Sequence, residues 1–352
     1  EAAHAPREAA DLLPEAPARR RLAYDEFLAH QLTLALARQT MRRARGREAR
    51  GDGALRARVL SSLPYEPTAA QRRAVAEIEA DMAAPRRMNR LLQGDVGSGK
   101  TLVAFLALLV AVEAGGQGAL MAPTGILAQQ HLDGLRPLAE AAGVAIEILT
   151  GRDKGAARAA KLGALAEGRI DILVGTHALF QGDVAFRDLR LAVVDEQHRF
   201  GVAQRMELGR KGAMADVLVM TATPIPRSLA LAQYGDMDLS VLDEKPPGRK
   251  PVRTALVSDA RMGEVVASLG RAIDEGRRAY WVCPLVEESE QTDLTAAEER
   301  FRSLRAQFGE RVGLVHGRLP PAEKDAAMAA FALGRIALLV ATTVIEVGVN
   351  VP

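Results

Sequence analysis

Residues 94–101 read Gly-Asp-Val-Gly-Ser-Gly-Lys-Thr, and no other stretch constrains the fold as tightly. The pattern G-x-x-x-x-G-K-[ST], met here at Gly94, Gly99, Lys100 and Thr101, describes a phosphate-binding loop, which needs a strand before it and a helix after it. Small residues let backbone N–H groups converge on phosphate oxygens, so Gly94, Gly97, Ser98 and Gly99 are expected to form the cradle. Lys100 then reaches the outer phosphates, and Thr101 offers its hydroxyl to Mg²⁺. Both flanks agree: residues 88–93 read as a short buried strand, and residues 101–114 as an apolar helix whose N-terminus faces the anion. A glycine-rich turn without a ligand explains neither flank.

About a hundred residues later, Leu191-Ala192-Val193-Val194 carries Asp195 and Glu196 to the end of another strand. In open α/β sheets that end is where ligands gather. Two adjacent carboxylates there divide the work: Asp195 holds Mg²⁺ together with Thr101, and Glu196 orients and deprotonates an attacking water. Alone, an Asp-Glu pair reads equally well as an acidic helix cap. Downstream of a phosphate loop, the catalytic reading is the stronger.

Between residues 61 and 242 short apolar strands alternate with helices, the βαβ rhythm of a parallel sheet. Expected strands are 88–93, 118–122, 145–149, 170–174, 191–195 and 217–221, continuously apolar because both faces are buried. A stretch rich in proline and charge, Asp243 to Pro251, interrupts the rhythm, and a second series follows with strands at 279–282, 312–315 and 336–341. We therefore expect an α/β chain in three parts: a helical linker over 1–60, a nucleotide-binding domain over 61–245, and a second parallel-sheet domain over 246–352 that stops short of its last strands. The linker carries Leu28, Leu32 and Leu36 at i,i+4 spacing, one apolar stripe expected to pack on something, followed by an arginine run read as a solvated helix end.

Composition decides little else. A formal net charge of +2 over 352 residues neither demands nor excludes a nucleic-acid partner. The lone Cys283 excludes an intramolecular disulfide, and the expectation is a cytoplasmic protein with no signal pattern and no membrane span.

Asp195-Glu196-Gln197-His198-Arg199-Phe200-Gly201 resembles the DExH box of superfamily-2 helicases, and within them the RecG family. Other segments agree in order: Ala122-Pro123-Thr124 through Leu127-Ala128-Gln129-Gln130-His131, Gly175-Thr176-His177, Met220-Thr221-Ala222-Thr223-Pro224 to Arg227, Tyr280-Trp281-Val282-Cys283, His316-Gly317-Arg318 and Val340-Ala341-Thr342 to Gly348. The resemblance covers nearly all of the chain after Glu66. It implies two RecA-like domains and a monomeric ATP-dependent translocase that uses Mg²⁺ and remodels forked, branched or duplex DNA without reading sequence. It further implies that Gln71 reads the adenine edge and that Gln197, His198, Thr221 and Thr223 couple the nucleotide to the DNA track. The track itself is expected at Thr124, Thr176, His177, Arg227, Arg318 and Thr342.

Within this class the alternative is the transcription-repair coupling translocase, which shares the motor; Gln197 favours the RecG family because the relative usually carries a second Glu there. A nucleotide-gated DNA-binding module with little hydrolysis is the alternative from another class. It is motivated by Asn350 in place of an Asp and by an end at Pro352, before the expected arginine-rich motif; Gly125 in place of an acidic residue is a further departure from the family pattern. The N-terminal wedge domain of the family is likewise not expected in this chain. A small-molecule kinase or a GTPase shares the loop but does not explain the DExH box, Thr221-Ala222-Thr223 or the second βα domain.

Overall fold

A computed structural model describes residues 8–43, 46–151, 153–195, 215–222, 237–244, 252–283 and 290–342. Two compact units, Glu1–Arg249 and Lys250–Pro352, divide the chain.

In the first unit each short apolar run becomes a strand of one parallel sheet. The strands are β1 (Asn89–Gly94), β2 (Gln117–Met121), β3 (Ile146–Leu149), β4 (Ile172–Gly175), β5 (Leu189–Asp195), β6 (Asp216–Thr221) and β7 (Asp238–Leu242). Their order across the sheet is β3-β4-β2-β5-β6-β1-β7, every described pairing is parallel, and all carboxyl ends therefore lie on one edge. Helices α1 (Pro17–Arg43), α2 (Ala54–Ser62), α3 (Ala69–Met82), α4 (Lys100–Glu113), α5 (Gly125–Ala142) and α6 (Gly155–Ala166) precede or connect them. Helix α4 is apolar all round and buried from Leu102 to Ala111, as a helix enclosed by its neighbours must be. Gly118 lies where α4 crosses β2: a Cβ there would meet Leu108 Cδ2 at 2.4 Å.

The edge strand β7 was not expected. Of its five residues only Ser240 and Leu242 are buried, too sparse an apolar pattern to read as a strand. Polar contacts from β1 and α3 help to hold it: from β1, Arg90 Nη1 donates to Ser240 Oγ at 2.8 Å, and from α3, Glu77 bonds Ser240 Oγ and Arg73 Nη2 donates to Asp243, just past the strand, at 2.9 Å. The stripe on α1 departs from expectation in the opposite sense, since Leu28, Leu32 and Leu36 are 42%, 55% and 62% exposed.

At the amino edge of the sheet, burial pushes the Asp216 carboxyl from 3.8 up to about 7, against the lowering effect of the Met88 N–H, which donates at 2.7 Å, and of Arg87. A carboxyl raised in the folded state favours folding while protonated, so this contribution is full below pH 3.8 and is lost as pH rises through about 7. Asp216→Asn keeps an acceptor for Met88 without the charge. The variant is expected to match the parent near pH 4 and to be more stable at pH 8 by on the order of 3–4 kcal/mol. Melting curves across that range check this; an offset independent of pH contradicts it.

The second unit forms its own parallel sheet, order β8-β10-β9, from β8 (Ala279–Val282), β9 (Val312–Val315) and β10 (Leu338–Ala341). It carries α7 (Met262–Asp274), α8 (Glu290–Phe308) and α9 (Pro321–Ala332). Ile273, Leu304, Val312, Leu338 and Val340 make its core.

Candidate functional site

The carboxyl edge of the larger sheet is where the chemistry-bearing residues collect. After β1 the chain turns on Gly97 (φ +75°) and Gly99 (φ +88°), the left-handed region that a side chain disfavours, and Gly99 then caps α4. The loop is internally braced: Ser98 N donates to Asp95 O at 3.0 Å and Val96 N to Asp95 Oδ1 at 2.8 Å. Lys100 Nζ turns back into it, donating to Gly94 O at 2.7 Å and Asp95 O at 3.1 Å. Thr101 is half-buried in the first turn of α4.

Two observations fit this loop to phosphate. The cradle has no room for side chains, since a Cβ on Gly94 would come within 2.5 Å of Ser98 Oγ. Ser98 Oγ is itself buried and has no hydrogen-bond partner among the described residues. A buried hydroxyl without a partner calls for one, and a phosphate oxygen at the N-terminus of α4 would supply it.

Gln71 joins the loop to α3. Its Oε1 accepts from Thr68 N at 2.9 Å in a capping box, while Nε2 donates to the Ser98 carbonyl at 2.8 Å. Each end of the amide retains one further hydrogen-bonding site. Beside it lies a mostly apolar pocket of about 460 Å³ lined by Leu60, Pro67, Gln71, Arg72, Leu102 and Val103 among others. Gly99→Ala would place its Cβ 2.2 Å from Gln71 Nε2 at a φ of +88°. Left-handed backbone costs about 1–2 kcal/mol for such a residue. The variant should unseat Gln71 and weaken binding of a fluorescent ATP analogue by at least about tenfold, as expected when a preorganised site is lost; unaltered affinity contradicts this role of Gly99.

Asp195 ends β5, and β6 lies between it and β1. The register pairs Gln93 with Thr221 and Met220 with Asp195, so the buried Thr221 sits on the strand between the phosphate loop and the carboxylate. Asp195 Oδ2 meets His131 Nε2 of α5 at 2.8 Å, each side chain 12% exposed. His131 lay within a recognised segment but was not expected at the site; a histidine on an otherwise amphipathic helix gives no sign of the strand end it will face.

Three residues expected to touch nucleic acid follow strands on the same edge. Thr124 caps α5, its Oγ1 accepting from Leu127 N at 3.3 Å. Thr176 is buried after β4 and makes no side-chain cap, and His177 beside it is exposed. In the second unit Arg318 is exposed after β9 and Thr342 is buried after β10, its N–H donating to Val315 O at 3.4 Å. Glu196, Gln197, His198, Thr223 and Arg227 lie outside the described residues. Among the described residues no three His, Cys, Asp or Glu side chains cluster as a metal site. No helix of the described residues is long and apolar enough to cross a membrane.

Residues 68–231 match the DEAD/DEAH box helicase family, and residues 264–352 the helicase conserved C-terminal domain. The ATP-dependent DNA helicase RecG of Escherichia coli (strain K12) is 51% identical over 342 residues, 96% of this chain and 49% of that protein. RecG of Bacillus subtilis (strain 168) is 49% identical over 338 residues, 95% of this chain and 50% of that protein. A solved structure of RecG bound to a three-way DNA junction superposes with a TM-score of 0.81 at 44% identity, covering 95% of this chain and 44% of that one. The chain thus spans about half the length of the curated relatives it matches.

Proposed function

This chain belongs to the RecG family of ATP-dependent DNA helicases, with two RecA-like parallel-sheet units after a helical N-terminal segment, and from that premise we propose that it is the motor of an ATP-driven translocase that remodels forked and branched DNA. The observation that carries the reading is the convergence, on one sheet edge, of the phosphate loop, Thr221 and Asp195 with the Thr124 and Thr176 turns alongside. A kinase or GTPase needs the loop but not the rest.

In this reading the backbone of Gly94, Gly97, Ser98 and Gly99 holds the phosphates of ATP with Lys100. Gln71 and its neighbouring pocket receive the base, the amide using its two remaining hydrogen-bonding sites while its bond to Ser98 O keeps the loop in register. Thr101 and Asp195 would hold Mg²⁺, which when bound would neutralise charge developing on the transferred phosphoryl group. Glu196 orients the attacking water and takes its proton. Thr221 and Thr223, with Gln197 and His198, link this site to the DNA side. Thr124, Thr176, His177, Arg227, Arg318 and Thr342 contact the sugar-phosphate backbone, contacts that position a duplex without reading its sequence. ATP favours one state of the motor over another and hydrolysis releases that bias, so repeated cycles move the motor along DNA. The protein acts as a monomer in the cytoplasm.

The test is conversion of a synthetic replication fork by the intact protein. Conversion should require hydrolysable ATP and Mg²⁺ and should not depend on the sequence of the arms. Conversion at equal rate with a non-hydrolysable analogue would sink the proposal.

A further inference from the structure

The proposed reaction asks Asp195 to hold Mg²⁺, and the structure gives its carboxylate a specific neighbour. Among the described residues the only side chain bonded to Asp195 is His131, through Nε2 to Oδ2 at 2.8 Å. An ionised carboxylate only accepts hydrogen bonds, so the shared hydrogen sits on Nε2. The pair is well shielded, each side chain 12% exposed, which leaves water little access to replace the bond if it is lost. His131 is also firmly placed: it lies in the second turn of α5, between the buried Leu127, Ala128 and Leu132 that seat the helix on the sheet.

We infer that His131 is a positioning residue for the metal-holding carboxylate: it fixes Oδ2 and so presents the other oxygen of Asp195 to Mg²⁺. This rests on the assignment of Asp195 to the metal and extends it to a residue on a different helix. The physical reason is that a carboxylate at a strand end rotates about its terminal torsion unless one oxygen is pinned. Partners of this kind behind a metal ligand set its orientation and basicity, and their removal typically weakens metal binding about 10–100-fold. The same bond gives α5 a second consequence. Thr124, at its N-cap, stands on the edge proposed to meet DNA, and His131 lies seven residues on, roughly 10 Å along the axis. A shift of α5 therefore moves a turn on the DNA side and a partner of the metal ligand together.

The test reads metal dependence rather than turnover. Binding of a fluorescent ATP analogue to the intact protein is titrated with Mg²⁺, for the parent and for His131→Leu, His131→Gln and Asp195→Asn, with each variant's melting temperature recorded. His131→Leu should raise the Mg²⁺ concentration for half-maximal effect about 10–100-fold while leaving binding in EDTA unchanged. His131→Gln, whose amide nitrogen reaches where Nε2 does, should stay within about threefold of the parent. Should the leucine variant fail to fold, His131→Asn takes its place: it keeps the amide but falls short of Asp195, and the same 10–100-fold rise is expected, by about the same argument. If Asp195→Asn shifts the Mg²⁺ dependence and the His131 variants do not, the positioning role is overturned and the metal assignment stands. If Asp195→Asn shifts nothing, the metal assignment fails and this inference fails with it. A lower melting temperature alone, with parental Mg²⁺ dependence, would make His131 only a packing residue and would also overturn the proposal.

Discussion

Lys100→Ala is expected to lower ATP hydrolysis by the intact protein by about 10³-fold, the scale seen when a preorganised donor to the reacting phosphoryl or oxyanion is removed. Its Nζ is held at 2.7 Å from Gly94 O and 3.1 Å from Asp95 O, which keeps a positive charge inside the loop that cradles phosphate. A charge so placed acts on the outer phosphates, where negative charge is redistributed as the bond breaks. The fold should survive, because the lysine is only half-buried and its bonds to Gly94 O and Asp95 O stay within the loop; a loss near 1 kcal/mol is the scale of such bonds. Steady-state turnover and a thermal melt, read together, separate the two effects. Turnover within a few-fold of the parent would remove the loop from the mechanism.

Glu113→Ala is expected to carry the largest loss of stability, about 3–5 kcal/mol, the range for breaking one side of a buried ion pair. Glu113 ends α4, the helix that begins at the phosphate loop, and its side chain is 1% exposed. Its carboxylate takes the backbone N–H groups of Gly53, Leu55 and Arg56 at 3.1, 2.9 and 3.2 Å and the Arg56 guanidinium at 3.1 Å. It thereby caps α2, whose own N-cap, Gly53, offers no side chain for the purpose. Gly51 leaves room for this, since a Cβ there would meet Glu113 Oε2 at 2.0 Å. Alanine leaves three donors and a largely buried arginine without this acceptor, although Glu79 still pairs with Arg56 at 2.7 Å. Glu113→Gln keeps the acceptor and should lose less. A melting temperature lowered by less than the equivalent of about 1 kcal/mol in the alanine variant would show that water satisfies these donors instead.

These two sites differ in how far the sequence revealed them. The loop was legible because it is local: its chemistry, its strand and its helix lie within some two dozen consecutive residues. The strands of the larger sheet were legible because burial on both faces writes itself as an apolar run, as in Leu191 to Val194. Glu113 and His131 were not legible as anchors. Each acts across the fold, Glu113 on residues 53–56 and His131 on Asp195, and nothing beside them in the chain marks the partner. Ser240 shows the same limit for β7, an edge strand whose buried serine is met by Arg90 of β1 and Glu77 of α3, contacts that no apolar run announces. Gln71 is singled out for the adenine edge only through the family resemblance, and its bond to Ser98 O, which makes it a brace of the phosphate loop, depends on a contact 27 residues away.

The account stands most directly on ATP turnover by the intact protein with and without forked DNA, taking Glu196→Gln as the blank. It predicts turnover that rises with forked DNA in the parent and is flat and near background in the variant. Turnover indifferent to DNA, or equal in parent and blank, would contradict a motor built from this site.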